Sequence, residues 1–503
     1  MRSRVSALRW GLALGCAAVA CNGREQLPPL PEVLVVVDTD LPVPLVASRL
    51  RIDLYGEDGA WFDSNDIARP SPSEWPASFS VYSDDESRPR NVWVRLRAYP
   101  EGRQTDYRGE RFRGWDAPFA EPAGDGNPRL VKDGVDVTPT SEPPHLLTVD
   151  RLLLVTLTPG TKGRVAVVLR GACVGTMSRL GDRGLPGAGA ETCIDTEKTL
   201  APVVAIPAAG DTSPPAPTLA GSFERDPCRP EETTEDRVCI DGGATLFGTN
   251  SVTEYAPGVS RTAPPTPARV FALKKFYVDR NEVTVGEYRA KIGPGFRGPL
   301  PAPNEGPLRP DDTTDPNAKC TWSDVKRDRE GYPLNCIEWD SAQIYCRRKG
   351  GELLTEVQWE HLSTVASRAT KTRYPSGDLP PTCDAVVHGR VAAGIQGVDC
   401  SKLGVGPQPY AQSAGDVSPS GVVALEGSVS EWVDGTPDPY TAPCWRDAPL
   451  VDPKCLTAAD DNRVIRGASW STPPVRGTFR FFNAFDDPGA AVGFRCAYPA
   501  GAP

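Results

Sequence analysis

Sulfur offers this chain its widest chemistry. The 503 residues include 14 Cys, against three His (His145, His361, His388) and two Met. Thiolates grip soft metals, attack electrophilic carbon or close disulfides, so the fate of the Cys decides which chemistry is open. Cys16 and Cys21 lie near the N-terminus; the other twelve are Cys173, Cys193, Cys228, Cys239, Cys320, Cys336, Cys346, Cys383, Cys400, Cys444, Cys455 and Cys496. Ten of these are sequence neighbours 11 to 20 residues apart (173/193, 228/239, 320/336, 383/400 and 444/455), which leaves 346 and 496. An even count in an exported chain points to disulfides rather than zinc or free thiols. No Cys-x-x-Cys is present to suggest a zinc knuckle or redox dithiol. Closing each short loop would stabilise by about 3 kcal/mol on chain-entropy grounds, although spacing alone leaves the connectivity open.

Other reactive constellations are thin. Three His cannot build His-rich metal cages. Asp63, Asn65 and Asp66 lack the remaining ligands and spacing of a cation loop and read as a turn. Gly467 to Ser471 reads G-A-S-W-S, without the closing Gly of a nucleophile elbow. The net charge of -10 has the wrong sign for neutralising phosphates, which disfavours nucleic acid. With 48 Gly and 53 Pro, short strands, turns and linkers are expected rather than an all-helical protein.

The positioning elements follow from patterning. Arg2, Arg4 and Arg9 precede an apolar run, Trp10 to Ala20, too short to span a bilayer but suited to a signal peptide over 1–20. Ala17-Ala18-Val19-Ala20 before Cys21 resembles a bacterial lipobox, so Cys21 is the expected lipidation site and 21–30 a tether; Cys16 is the weaker alternative. Residues 31–206 read as a small antiparallel β-sandwich, with strands at Val33 to Val37, Leu50 to Tyr55, Ser78 to Tyr82, Asn91 to Tyr99, Leu152 to Leu157 and Arg164 to Leu169. Alternation of Val92, Val94, Leu96 and Ala98 with Trp93, Arg95, Arg97 and Tyr99 predicts one buried sheet face. A Pro-rich linker, 207–235, leads to a second domain, 236–503, with one continuous core. Within it, Asp340 and Gln343 read as a cap before a helix over Ser341 to Lys349 stopped by Gly350, and Thr355 with Gln358 as a capping box before Glu356 to Ala366.

An ordered series of motifs then carries a resemblance. It runs Phe276-Tyr277-Val278-Asp279, Glu282-Val283-Thr284, Cys336-Ile337-Glu338-Trp339, Leu353-Leu354-Thr355-Glu356 with Trp359-Glu360, Gly427-Ser428-Val429-Ser430-Glu431-Trp432, Arg466-Gly467-Ala468-Ser469-Trp470 and Gly493-Phe494-Arg495-Cys496. This series resembles the formylglycine-generating enzyme (sulfatase-modifying factor) family over about 260 residues. The resemblance implies a compact α+β domain with little regular structure, related to C-type lectins, and supports joining Cys346 to Cys496. It also implies Cu(I) held by two thiolates just after the R-G-G-S-[YW] stretch. Here those positions are Thr472 and Gly477, which offer no thiolate, so copper is not expected. Cys444 and Cys455, in the insertion preceding Arg463, are the candidates for a relocated thiol pair, although a disulfide suits them better in an oxidising compartment. Relatives with iron-dependent sulfoxide chemistry use a His set, whereas His361 and His388 read as solvent-facing or locally bonded. The family's calcium loop matches only in part, which leaves Ser428, the Val429 carbonyl and Glu431 as a weakened calcium set. Trp339, Trp359, Trp432 and Trp470 read as core anchors, and Trp445 with Arg446 as the recognition candidate if exposed.

The expected architecture is multidomain: an N-terminal all-β sandwich-like domain, then an α+β formylglycine-generating-enzyme/C-type-lectin-like domain. The expected function is that of a lipoprotein of the cell envelope, on the outer membrane or periplasmic face of a Gram-negative-type bacterium. It contacts the membrane through its lipid anchor, and its catalytically degenerate domain binds protein or glycan or serves structurally. The alternative is an oxidase of the same family, converting a protein cysteine to formylglycine with relocated thiols.

Overall fold

A computed structural model describes residues 30–100, 130–139, 142–181, 185–195, 199–208, 216–251, 261–413, 415–458 and 460–501. The signal segment, Cys21 and nearly all of the tether lie outside the described residues. Among the described residues no helix is long and apolar enough to cross a membrane.

The β-branched runs of the N-terminal region build two sheets. Glu32–Thr39 is the central strand of a three-stranded sheet, antiparallel to Ala77–Tyr82 and parallel to Lys162–Leu169. The other sheet has five strands in the order Ala205–Pro207, Val149–Leu157, Arg90–Tyr99, Arg49–Tyr55 and Trp61–Ala68. Val35, Val37, Val94, Leu96, Val155 and Val167 from the two sheets share one buried cluster. Each strand expected from the pattern is present, with three corrections. The sheets are mixed rather than antiparallel, because the long connections between Glu32–Thr39 and Lys162–Leu169 permit parallel pairing. Asp63, Asn65 and Asp66 lie in a strand rather than a turn, and Arg49 Nε donates to Asp66 at 2.8 Å.

A third correction concerns the inner strands of the five-stranded sheet, Arg49–Tyr55 and Arg90–Tyr99, which are largely buried on both faces. Arg97 and Tyr99 are as inaccessible as Val94 and Leu96. Guanidinium groups tolerate such burial only when paired. Arg97 Nη2 reaches Asp53 at 2.6 Å, Arg95 Nη2 reaches Asp150 at 2.7 Å, and Arg97 also pairs with Glu142.

In the second region, Arg237–Ile240, Phe276–Asp279, Cys496–Pro499 and Glu352–Leu353 form one antiparallel sheet. Phe481–Ala484, Asn462–Arg466, Ser430–Trp432 and Val492–Gly493 form another. Helices α1 (Val285–Lys291), α2 (Trp339–Arg348) and α3 (Glu356–Thr364) pack among them. The α3 capping box is formed: Thr355 Oγ1 accepts from Gln358 N at 3.2 Å, and Gln358 Oε1 accepts from Thr355 N at 2.9 Å. The cap expected at Asp340 is not. α2 starts at Trp339 after Glu338, and Gln343 turns inward, accepting from Leu353 N at 2.8 Å and donating to Asp434 Oδ2 at 3.2 Å. A buried amide that satisfies two interior groups outweighs a cap at the helix end.

The second region holds two main apolar clusters instead of one core, and the cluster of the N-terminal sheets runs on into it through Ala244, Leu246, Ala268, Val270 and Val365. The supposed linker is likewise docked from residue 216 onward. Asp38 accepts from the Thr218 hydroxyl and Leu219 N, both at 2.8 Å, and Phe223 N donates to Asp40 O at 2.8 Å.

Six disulfides join Cys173–Cys193, Cys228–Cys239, Cys320–Cys336, Cys383–Cys400, Cys444–Cys455 and Cys346–Cys496. The last spans 150 residues and ties α2 to the C-terminal strand. Replacing Cys346 and Cys496 together by Ala is expected to cost about 5 kcal/mol, against about 3 kcal/mol for the Cys228/Cys239 pair, because loop-closure entropy grows with loop length. Urea-unfolding midpoints check the ranking; equal losses would mean that loop length does not govern these bonds.

Candidate functional site

The segment to which the family resemblance assigns the copper thiolates begins where strand Asn462–Arg466 ends. The chain turns at Gly467 with φ +83°, and a methyl group there would lie 3.1 Å from Trp359 Cζ2, so only Gly suits the turn. Helix α3 forms the floor and fixes the segment through charge. Arg466 Nη1 donates to Glu356 Oε1 at 2.8 Å, and its Nη2 to Glu360 Oε2 at 2.7 Å. Arg480 reaches Glu356 through Nε at 2.5 Å and Nη2 at 3.0 Å, and Tyr440 OH donates to Glu356 Oε1 at 3.0 Å. Lys371 Nζ reaches Glu360 Oε1 at 2.7 Å. All five charged residues are essentially inaccessible to water. Burial alone would raise the Glu360 pKa, but the positive charges of Lys371 and Arg466 outweigh it and hold the group below the usual carboxylate range.

Arg466 Nη2 also donates to the Gly477 carbonyl at 2.5 Å, drawing that backbone against α3. A Cβ at residue 477 would lie 2.4 Å from both Ser363 Oγ and Thr364 Cγ2. Thr472 Oγ1 is engaged within its own turn, accepting from Ser469 N at 2.8 Å and donating to Ser469 O at 3.3 Å. Among the described residues, no His or carboxylate bonds the hydroxyl of Ser469, Ser471 or Thr472, so the segment lacks an activated nucleophile. These residues do not fit copper: one position carries a closed hydroxyl, the other has no room for a side chain.

The candidate pair Cys444 and Cys455 is not the pair whose loop bonds to this segment. Cys444–Cys455 is a disulfide elsewhere in the domain, whereas the loop stapled by Cys383–Cys400 bonds the segment directly. Gly389 N donates to Thr472 O at 2.8 Å, and Arg390 N to Trp470 O at 2.6 Å. His388 Nδ1 lies 3.7 Å from Cys400 Sγ. His361 and His388 are both buried rather than solvent-facing. His361 Nδ1 pairs with Thr245 Oγ1 at 2.9 Å, and burial pushes its pKa down to about 4.

The calcium set is also committed elsewhere. Glu431 Oε2 accepts from Trp359 Nε1 at 2.8 Å, and its Oε1 from Arg495 Nε at 2.7 Å. A carboxylate already neutralised by a buried guanidinium is a poor calcium ligand, so Ser428, Val429 and Glu431 do not fit a calcium loop. Glu282, unnoticed as an interior acid in the sequence, completes this corner: its Oε1 accepts from Val429 N at 3.0 Å. Burial first and the Glu431 charge second push its pKa well above the usual carboxylate range.

Trp445 is a correction. It is 1% exposed, with its ring centroid 5.0 Å from Phe247 and 5.2 Å from Tyr440, so it packs the interior. Apolar area wins over display when an adjoining aromatic pocket exists. Arg446 is exposed and pairs with its neighbour Asp447 at 3.0 Å. Trp339, Trp359, Trp432 and Trp470 are buried anchors; Trp339 Nε1 donates to Val433 O and Trp432 Nε1 to Ile337 O, each at 2.9 Å.

Two substitutions probe this floor. Glu356→Gln leaves Arg466 and Arg480 short of a buried countercharge and is expected to cost about 3–5 kcal/mol in denaturant unfolding. The double variant Thr472→Cys/Gly477→Cys is expected to bind no Cu(I) tightly in a chelator-competition assay and to unfold more easily than the native chain, because position 477 has no space for the added atoms.

Known proteins can now be set beside this geometry. Residues 223–500 match the sulfatase-modifying factor enzyme 1-like domain. Over 185 residues, 35% of this chain and 54% of the relative, the sequence is 29% identical to the inactive C-alpha-formylglycine-generating enzyme 2 of Bos taurus. Over 262 residues, 48% of this chain and 56% of the relative, it is 23% identical to the hercynine oxygenase of Mycolicibacterium smegmatis. The solved structure of PvdO from Pseudomonas aeruginosa aligns with a TM-score of 0.37 at 21% identity, covering 52% of this chain and 93% of that one. The chain spans about half the length of the curated relatives it matches. With more than half of its residues matched, the chain belongs to the sulfatase-modifying factor enzyme 1-like family.

Proposed function

We propose that this protein is an exported lipoprotein, anchored through Cys21 in the cell envelope, whose formylglycine-generating-enzyme-like domain performs no copper oxidation and serves as a binding or structural module. The N-terminal domain is sandwich-like and the C-terminal one lectin-like, and its ligand is a protein or glycan. The observation that carries this reading is the packing at Gly477. The space where a side chain at 477 would begin is taken by the side chains of Ser363 and Thr364, each 2.4 Å from where a Cβ would stand, so a Cys there would require these α3 side chains to shift as well. Thr472 removes the other thiolate, and the twelve Cys from Cys173 to Cys496 are all in disulfides. Without a soft donor pair there is nothing to hold Cu(I).

Thiol titration and metal analysis of the native, unreduced exported chain test this directly. The expected result is no reactive thiol in the C-terminal domain, no stoichiometric copper after Cu(I) loading, and an acylated Cys21 at the mature N-terminus by mass spectrometry. A reactive thiol pair in that domain, or one copper per chain, would overturn the reading in favour of an oxidase.

A further inference from the structure

The junction between the two regions forms a cavity of about 390 Å³ that is partly open to solvent. Ligand pockets of this size are commonly found where domains meet, with apolar walls and a few converging polar groups. Both regions contribute: Leu45 comes from the turn between strands Glu32–Thr39 and Arg49–Tyr55, Phe223 and Arg225 from the docked connection, and His361, Val365 and Arg368 from the end of α3 and just beyond. Leu45 and Val365 are themselves buried and form an apolar wall with Phe223.

The polar side of the cavity carries one unengaged guanidinium, that of Arg225, and one unengaged ring nitrogen, on His361. The Arg225 guanidinium has no ion pair or side-chain hydrogen bond among the described residues. Arg368 is held in place by the carbonyls of Leu362, Ala366 and Pro375, with no carboxylate in ion-pair contact. The one acid in the wall, Asp241, is occupied by Cys228 N at 2.7 Å. His361 uses Nδ1 on Thr245, and its other ring nitrogen has no partner among the described residues. Burial keeps this imidazole neutral near pH 7, so it can offer a hydrogen bond without adding charge.

We propose that the interdomain cavity binds a small organic anion, a carboxylate or phosphate monoester on an apolar body about the size of a phenyl ring. Arg225 and the free ring nitrogen of His361 face the charge, Arg368 adds positive field from the wall, and Leu45, Phe223 and Val365 face the body. Carboxylate and phosphate share the oxyanion that a guanidinium fork recognises. The proposal goes beyond the binding-module reading, adding a small-molecule site to a module whose main ligand is a protein or glycan, and fails separately from it: copper and thiols decide that reading, anion binding decides this one.

The test uses the full exported chain with benzoate, phenyl phosphate and the uncharged, similarly sized benzyl alcohol, followed by calorimetry and thermal shift. At least one anion is expected to bind at millimolar concentration or tighter and to raise the unfolding temperature, because occupancy bridges both regions. Benzyl alcohol should bind roughly tenfold more weakly, and Arg225→Gln should weaken the anion by roughly tenfold, as expected for losing a charge-assisted contact. Arg225 is exposed and makes no side-chain contact that the fold needs, so its variant should keep the native unfolding temperature. The tighter of the two anions identifies the chemistry. No anion binding, equal binding of benzyl alcohol, or an undiminished Arg225→Gln affinity each overturns the proposal.

Discussion

Glu356 and Glu360 stand four residues apart on α3, so their carboxylates leave the same side of the helix, and three cations from distant segments close on them. With water excluded, attraction within such a cluster is strong and an unpaired member is costly, so the segments that supply Arg466, Arg480 and Lys371 have one arrangement open to them. That arrangement sets what the domain can do. By bonding two α3 carboxylates and the Gly477 carbonyl together, Arg466 presses the chain after Trp470 onto the helix and leaves backbone where the family resemblance places a sulfur ligand.

The junction of the two regions depends on more ordinary forces. Val365 just beyond α3 and the hairpin residues Ala244, Leu246 and Val270 bury apolar surface against the N-terminal sheets, while Asp38 and Asp40 clasp the incoming connection. Each buried aliphatic side chain contributes on the order of 1.5–3 kcal/mol. A connection clasped in this way does not tether independent modules; it closes one side of a cavity whose other sides belong to different regions.

Disulfides do the work that regular secondary structure leaves undone. Much of the C-terminal region between α1 and α2, and again between α3 and strand Ser430–Trp432, is loop held by Cys320–Cys336 and Cys383–Cys400. Restricting the unfolded chain substitutes for the ladder hydrogen bonds that these loops lack.

Some of this is legible from residues alone. Alternation located the strands of the N-terminal region, the Thr355–Gln358 box located α3, and motif order located the family, since each depends on neighbours close in sequence. Thr472 and Gly477 likewise announce the missing thiolates by type. Burial of Trp445, the inward turn of Gln343, the second buried face carrying Arg97, and the approach of the Cys383–Cys400 loop to Thr472 do not appear in any local pattern. The sequence by itself determined that positions 472 and 477 carry no sulfur ligand, because a residue without sulfur cannot supply a thiolate in any fold. The tertiary structure alone decided where charge is sealed away and where a cavity stays open, because both depend on atoms more than a hundred residues apart arriving within a few ångströms of one another.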